Sequence, residues 1–241
     1  MKLIRCELPD YVYRCDHFKV KDYRDFILIR NDIETQPIDK RIEILDEMLS
    51  DLFPDVEPKF RSYVFINAFT SSIGKTKIPL TYTCPDCGTE HSHTLNLETH
   101  KLEYPNIQIQ NLTLYFDFPE KDSIDLASMF LSCIRYVEQN GKRYEWTALT
   151  DEQQSTIINA ISIKDLENIV KKLSTLRFIF PMKCKNEKCG YNKEVVYNSF
   201  LAIFSLIINP DEIFTFYPTN HSMVHNNYTY TEIMEIGRAH V

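Results

Sequence analysis

Apolar positions in the first third of the chain recur at three- and four-residue steps, the spacing that gathers them on one face of a helix. From Val20 to Arg30, Tyr23, Phe26, Ile27 and Ile29 follow it closely. Pro37 opens a clearer helix carrying Ile38, Ile42, Leu45, Met48, Leu49 and Leu52, and Pro54 stops it. A third helix starts near Pro58, lines up Phe60, Val64, Phe65 and Phe69, and ends at Gly74. Residues 1–76 are therefore expected to form a mostly helical N-terminal region.

Beyond residue 76 the period shortens to two. Strands are predicted at Lys77–Thr83 and His93–Leu97, and two more follow through Ile107, Ile109, Leu112, Leu114, Phe116 and Phe118. Ser123–Cys133 reads as a short helix, and Arg135–Trp146 as a hairpin turning on Asn140-Gly141. Thr150 with Gln153 makes a capping box, and Ser162 with Asp165 starts a further helix. Strands at Arg177–Phe180 and Val195–Tyr197 precede an apolar helix, Phe200–Ile208. Helices first, then hairpins, then a mixture predict the α+β class, with an α+β region over 77–210. The tail, 211–234, is rich in tyrosine and shows little regular apolar pattern, so it is expected to dock on a partner or fold back as a strap. Glu235–Val241 back-translate to a string resembling the start of a common sequencing adapter and are read as foreign.

Composition narrows the function. The 241 residues are 44% hydrophobic and 25% charged, an ordinary globular balance. No apolar run reaches the roughly 18 residues needed to span a bilayer, and the N-terminus lacks the features of a secretory signal. The expected place is the cytosol of the producing cell, away from membranes. Only 5 glycines occur, which argues against folds that bring backbone close to phosphates. A net charge of −7 makes nucleic acid an unfavoured partner. Lys164, Lys171, Lys172, Arg177, Lys183, Lys185, Lys188 and Lys193 form a local exception, read as a solvated face around a metal site.

The chemistry concentrates in cysteine. Cys84-Pro85-Asp86-Cys87-Gly88 sits between two strands, where two thiolates can face one tetrahedral Zn²⁺ and the glycine lets the chain turn. Cys184-Lys185-Asn186-Glu187-Lys188-Cys189-Gly190 repeats the design with a longer tip. The two pairs read as halves of one zinc ribbon, 77–119 and 177–197, split by the 96 residues between Cys87 and Cys184. The metal ligands expected are Cys84, Cys87, Cys184 and Cys189; a closed set of four thiolates is structural, not catalytic. A redox pair is the alternative, but no thioredoxin-like βαβ unit precedes the first knuckle. His91 and His93 are candidate substitute ligands, His221 and His225 read as surface residues, and Cys6, Cys15 and Cys133 as small buried hydrophobes. Ser72-Ile73-Gly74-Lys75-Thr76 mimics the end of a P-loop, yet Phe69 stands where its first glycine belongs. Lys75 fits better as a cation at a helix C-terminus. No catalytic triad or acid/base pair is recognisable, so the chain is expected not to be an enzyme.

Several of these motifs coincide in order with one known group. Cys15-Asp16-His17-Phe18-Lys19-Val20-Lys21-Asp22-Tyr23, the helix ending Ser71-Ser72-Ile73-Gly74-Lys75 before a Cys-x-x-Cys-Gly knuckle, Leu95-Asn96-Leu97, and Tyr115-Phe116-Asp117-Phe118-Pro119 resemble the T-even-type phage baseplate hub assembly family. Tyr217–Met223 and Tyr228–Met234 resemble segments of phage tail and hub proteins, and the resemblance spans about Cys15 to Met234. It implies non-enzymatic assembly work on the baseplate of a contractile-tailed phage, in the host cytoplasm or retained in the virion. The implied partners are other hub or spike proteins, with a second copy of this chain as another candidate. A zinc-ribbon regulator or nucleic-acid adaptor using the basic stretch is the competing reading.

Overall fold

The computed structural model describes residues 3–74, 76–120 and 126–237, and it is an α+β protein. Lys75, Ser123 at the predicted start of a helix, and residues 238–241 lie outside the described residues.

The first third is mostly helical, as expected, but it opens with two strands that the periodicity did not predict. A hairpin of β1 (Ile4–Glu7) and β2 (Val12–Cys15) precedes the helices, turning where the Leu8 N–H donates to the Tyr11 carbonyl at 2.9 Å. Pro9-Asp10 supply the centre of this turn, where Pro presets φ. Ile4 and Cys6 point inward and Arg5 and Glu7 outward, an alternation too short to stand out in the sequence.

Three helices follow: α1 (Val20–Glu34), α2 (Ile38–Leu52) and α3 (Pro58–Ile73). Helix α3 has Pro58 in its first turn and ends on Gly74, whose φ of 72° is left-handed and suits a residue without Cβ. It buries Phe60, Tyr63, Val64, Phe65, Ile66 and Phe69, so apolar groups surround it and it becomes the central helix of the main core. Phe65 is fully buried, with ring centroids of Phe18, Phe26 and Phe200 at 5.3, 5.1 and 5.1 Å. Phe69 and Phe204 complete the aromatic cluster at 6.0 Å each.

Two antiparallel hairpins leave this core. Strands β3 (Lys77–Thr83) and β4 (Glu90–Asn96) form one, pairing Tyr82 with His91. Between the two hairpins, β5 (Asn106–Ile109), β6 (Leu112–Phe116), β7 (Ile134–Gln139) and β8 (Lys142–Glu145) make a four-stranded antiparallel sheet in sequence order. Helices α4 (Leu126–Ser132), α5 (Asp151–Asn159) and α6 (Ile163–Leu173) accompany it. A second core forms there from Leu114, Phe116, Phe130, Val137, Trp146 and Leu173 among others. The β7–β8 turn has positive φ at both Asn140 (53°) and Gly141 (74°), which Asn-Gly supplies at least cost. Both predicted caps are present, with the Gln153 and Asp165 N–H groups donating to Thr150 and Ser162 hydroxyls at 3.3 and 3.1 Å.

The chain then returns to the first core through the second hairpin, β9 (Phe178–Lys183) and β10 (Asn192–Tyr197), and α7 (Phe200–Ile207). The tail is helical: α8 (Ile213–His225), with Pro218 inside it, and α9 (Tyr230–Met234), capped by Thr229 and Glu232. Ile233 and Met234 are buried, and α8 and α9 pack on α1, so the tail folds back on its own chain. Phe214 (75% exposed), Tyr217 and Val224 remain on its outer face. Glu235–Gly237 lie against the start of α1: Glu235 pairs with Lys19 and Lys21, and the Val20 N–H donates to the Ile236 carbonyl at 3.0 Å. Phe200–His225 is long and apolar enough to cross a membrane by length and composition. In the fold, however, Phe200, Ile203, Phe204 and Ile207 face the protein core, and Asp211 and Glu212 interrupt the stretch.

Because Phe65 contacts rings from four separate segments, Phe65→Ala should cost about 3–5 kcal/mol of folding stability, as burial is lost and a cavity remains. Urea denaturation measures it; a loss below about 1 kcal/mol would show that the aromatic cluster is not the central packing element.

Candidate metal centre

The two knuckles are built alike. In the first, the Cys84 N–H donates to the Thr89 carbonyl and the Gly88 N–H to the Cys84 carbonyl, both at 2.9 Å. In the second, the Cys184 N–H donates to the Tyr191 carbonyl at 2.9 Å, closing the hairpin in the same way. The glycine after the second cysteine of each pair has a left-handed φ, 69° at Gly88 and 68° at Gly190. A Cβ would meet nothing within 4 Å at either position, so conformation and not crowding calls for glycine. The longer second tip is taken up by Asn186: its carboxamide oxygen accepts from the Lys188 N–H at 3.1 Å, and its own N–H donates to Cys184 Sγ at 3.4 Å. Such N–H groups favour a thiolate where a metal is held.

The hairpins lie side by side, β4 next to β9, though no strand ladder joins them. Phe180 packs edge-on against Tyr82 at 5.7 Å and against His93 at 5.7 Å. The Tyr82 hydroxyl crosses the gap and donates to the Lys183 carbonyl at 2.7 Å. The result is a single cluster of Cys84, Cys87, Cys184 and Cys189, all four Sγ atoms within 4.8 Å of one another. The shortest separations run between the knuckles: Cys84 to Cys189 is 3.6 Å and Cys87 to Cys184 is 3.5 Å. A tetrahedral ion with metal–sulfur bonds of about 2.3 Å needs sulfurs about 3.8 Å apart, so this donor set can hold one metal ion.

Electrostatics points the same way. The hydroxyl and backbone of Thr89 hold the Cys87 thiol down to about 6. At Cys189 the Tyr191 backbone favours the thiolate, but burial and the neighbouring sulfurs outweigh it and push the thiol up to about 12. Burial raises Cys184 as well. Four thiolates this close repel one another; a divalent cation relieves the repulsion and displaces the protons, so metal affinity falls as pH falls.

The other candidates separate cleanly. His91 is buried with Nε2 3.1 Å from Cys184 Sγ, whereas His93 is exposed and rests on Phe180. His221 and His225 stack edge-on at 4.5 Å on exposed α8. Cys6 and Cys133 are buried, and burial pushes the Cys133 thiol up to about 11. Ser72 donates to the Ala68 carbonyl and accepts from the Phe18 N–H at 2.8 Å, so it ties α3 to the N-terminal segment. The contributions of Tyr82 and Thr89 had no sequence signal, because neither is a usual zinc ligand and Tyr82 lies 101 positions from Lys183.

Comparison with known proteins adds the biological setting. The family described as T4 bacteriophage base plate protein matches residues 1–205. The family described as baseplate hub assembly protein Gp51 C-terminal domain matches residues 207–237. The baseplate hub assembly protein gp26 of Enterobacteria phage T4 is 23% identical over 202 residues, covering 81% of this chain and 94% of the relative. No solved structure matches the chain.

If the knuckles share one metal, Cys84→Ser and Cys189→Ser should each abolish metal retention and lower the thermal midpoint similarly. The double variant should be little worse, because members of one unit are non-additive. Additive losses in thermal unfolding would mean that the knuckles act separately.

Proposed function

The chain belongs to the T4 bacteriophage base plate protein family, and from that membership we propose that it is a non-enzymatic assembly factor or structural component of the baseplate hub. It works by binding other hub or spike proteins in the host bacterial cytoplasm, and it carries one structural zinc held by Cys84, Cys87, Cys184 and Cys189. The observation that carries this reading is the family match over residues 1–205, supported by the relative named as a hub assembly protein. Zinc fits because four sulfurs within 4.8 Å of one another match its usual structural donor set and would leave no open position for water or substrate.

The tail supports a binding role. Helix α8 turns Phe216 and Asn220 toward α1 and leaves Phe214, Tyr217 and Val224 outward. Exposed aromatic side chains at helical spacing are the kind that anchor protein–protein contacts. The nucleic-acid reading draws less support. Lys183, Lys185, Lys188 and Lys193 of the basic stretch lie on the second hairpin, beside its cysteine knuckle in sequence, and the chain as a whole is acidic.

Two outcomes are expected. Freshly purified, reduced protein should contain one zinc per chain by elemental analysis; less than half an equivalent contradicts the zinc centre. Co-expressed baseplate hub proteins should capture the chain, and Phe214→Ser with Tyr217→Ser should weaken capture by about 1–3 kcal/mol, measured as a change in Kd. Undiminished capture of the folded double variant would exclude α8 as the docking element. Point changes serve better than deleting the tail, which would uncover the core around Ile233 and Met234.

A further inference from the structure

We infer that His91 is a built-in hydrogen-bond donor to the metal centre, supplied by one hairpin to a thiolate of the other. The inference rests on the zinc reading above and extends it to a residue outside the four ligands. His91 lies on β4 and is 6% exposed, with Nε2 3.1 Å from the Sγ of Cys184, which caps β9. The four sulfurs that lie within 4.8 Å of one another do not include the His91 nitrogen. Four thiolates already complete a tetrahedral site, so the imidazole stands in contact with one ligand instead of displacing it.

The tautomer follows from charge. A lone pair aimed at a thiolate is repelled, whereas an N–H aimed at it makes a charge-assisted hydrogen bond. His91 therefore carries a proton on Nε2 and donates to Cys184. The ring is backed by Tyr82 at 5.5 Å, and the Tyr82 hydroxyl holds the Lys183 carbonyl, one residue before Cys184. Two side chains of the first hairpin thus grip the second knuckle on either side of one peptide unit. These contacts orient the knuckle, and with metal bound the His91 N–H would draw off part of the net −2 charge of a zinc tetrathiolate. Donors of this kind typically change metal affinity by about 10- to 100-fold. His93, two residues along the same strand but exposed, provides an internal control.

The test compares wild type, His91→Phe, His91→Gln and His93→Phe, each loaded with zinc and, separately, with cobalt(II). Affinity is read by competition with a chromophoric chelator. His91→Phe keeps a ring against Tyr82 but removes the donor, and should weaken zinc binding by roughly 10- to 100-fold. With cobalt(II), its sulfur-to-metal charge-transfer bands should move to lower energy, because the Cys184 thiolate becomes more electron-rich; a purely structural role would leave them in place. His91→Gln retains an N–H and should recover much of the affinity, and His93→Phe, which keeps a ring against Phe180, should match wild type. His91→Leu repeats the measurement should the Phe variant fail to fold. Wild-type affinity and unshifted bands without the imidazole overturn the inference. So does a cobalt spectrum that changes from three sulfurs and one nitrogen to another donor set when His91 is replaced, since His91 would then be a ligand. Wild type that binds neither metal overturns the zinc reading together with this one.

Discussion

Packing of the Phe65 ring against Phe200 and Phe204 is the contact on which the candidate site depends. Helix α3 runs through Gly74 toward β3, and β10 runs into α7 through Ser199, whose hydroxyl accepts from the Ala202 N–H. By fixing α3 against α7, the aromatic cluster roots both hairpins in one place although 96 residues separate Cys87 from Cys184. The intervening chain forms its own sheet and core, so the insertion need not disturb that alignment. Loop-closure entropy grows only slowly with length, which makes a ribbon split this widely physically reasonable. In isolated zinc peptides the metal supplies about 10–16 kcal/mol and creates the fold. Here the hydrophobic core also holds the two hairpins together, and a bound ion would lock their arrangement.

Charge explains a feature that composition alone left ambiguous. An acidic chain with a lysine-rich stretch invites comparison with nucleic-acid binders. Yet Lys183, Lys185, Lys188 and Lys193 are strung along β9, the second tip and β10, next to a cluster that would carry net −2 with zinc. A cation that comes within a Debye length of such a site, about 8–10 Å, would offset part of that charge. Of the remaining four cations, Lys171, Lys172 and Arg177 line a separate groove with Lys101, and Lys164 lies in the first turn of α6.

Much of this was legible in the sequence, for identifiable reasons. Helix α3 announced itself by Pro58 at its start, Gly74 at its end and an apolar stripe between them. The two knuckles were visible because cysteine pairs followed by glycine have few other uses between strands. The N-terminal hairpin was not, since four-residue strands such as Ile4–Glu7 offer only two inward positions to set a period. Helix α8 was hidden by Pro218 and by aromatic residues on both its faces, and α9 by its five-residue length. The histidines could be proposed as alternative ligands, but their roles depend on β9. Only the neighbouring hairpin makes His91 a partner of Cys184 and leaves His93 against Phe180.

The central claim is that two distant hairpins complete one four-sulfur site. X-ray absorption at the zinc edge of the purified protein tests it most directly. The account predicts a single shell of four sulfurs at about 2.3 Å. A shell of two sulfurs completed by nitrogen or oxygen would contradict it, because each knuckle would then hold its metal alone.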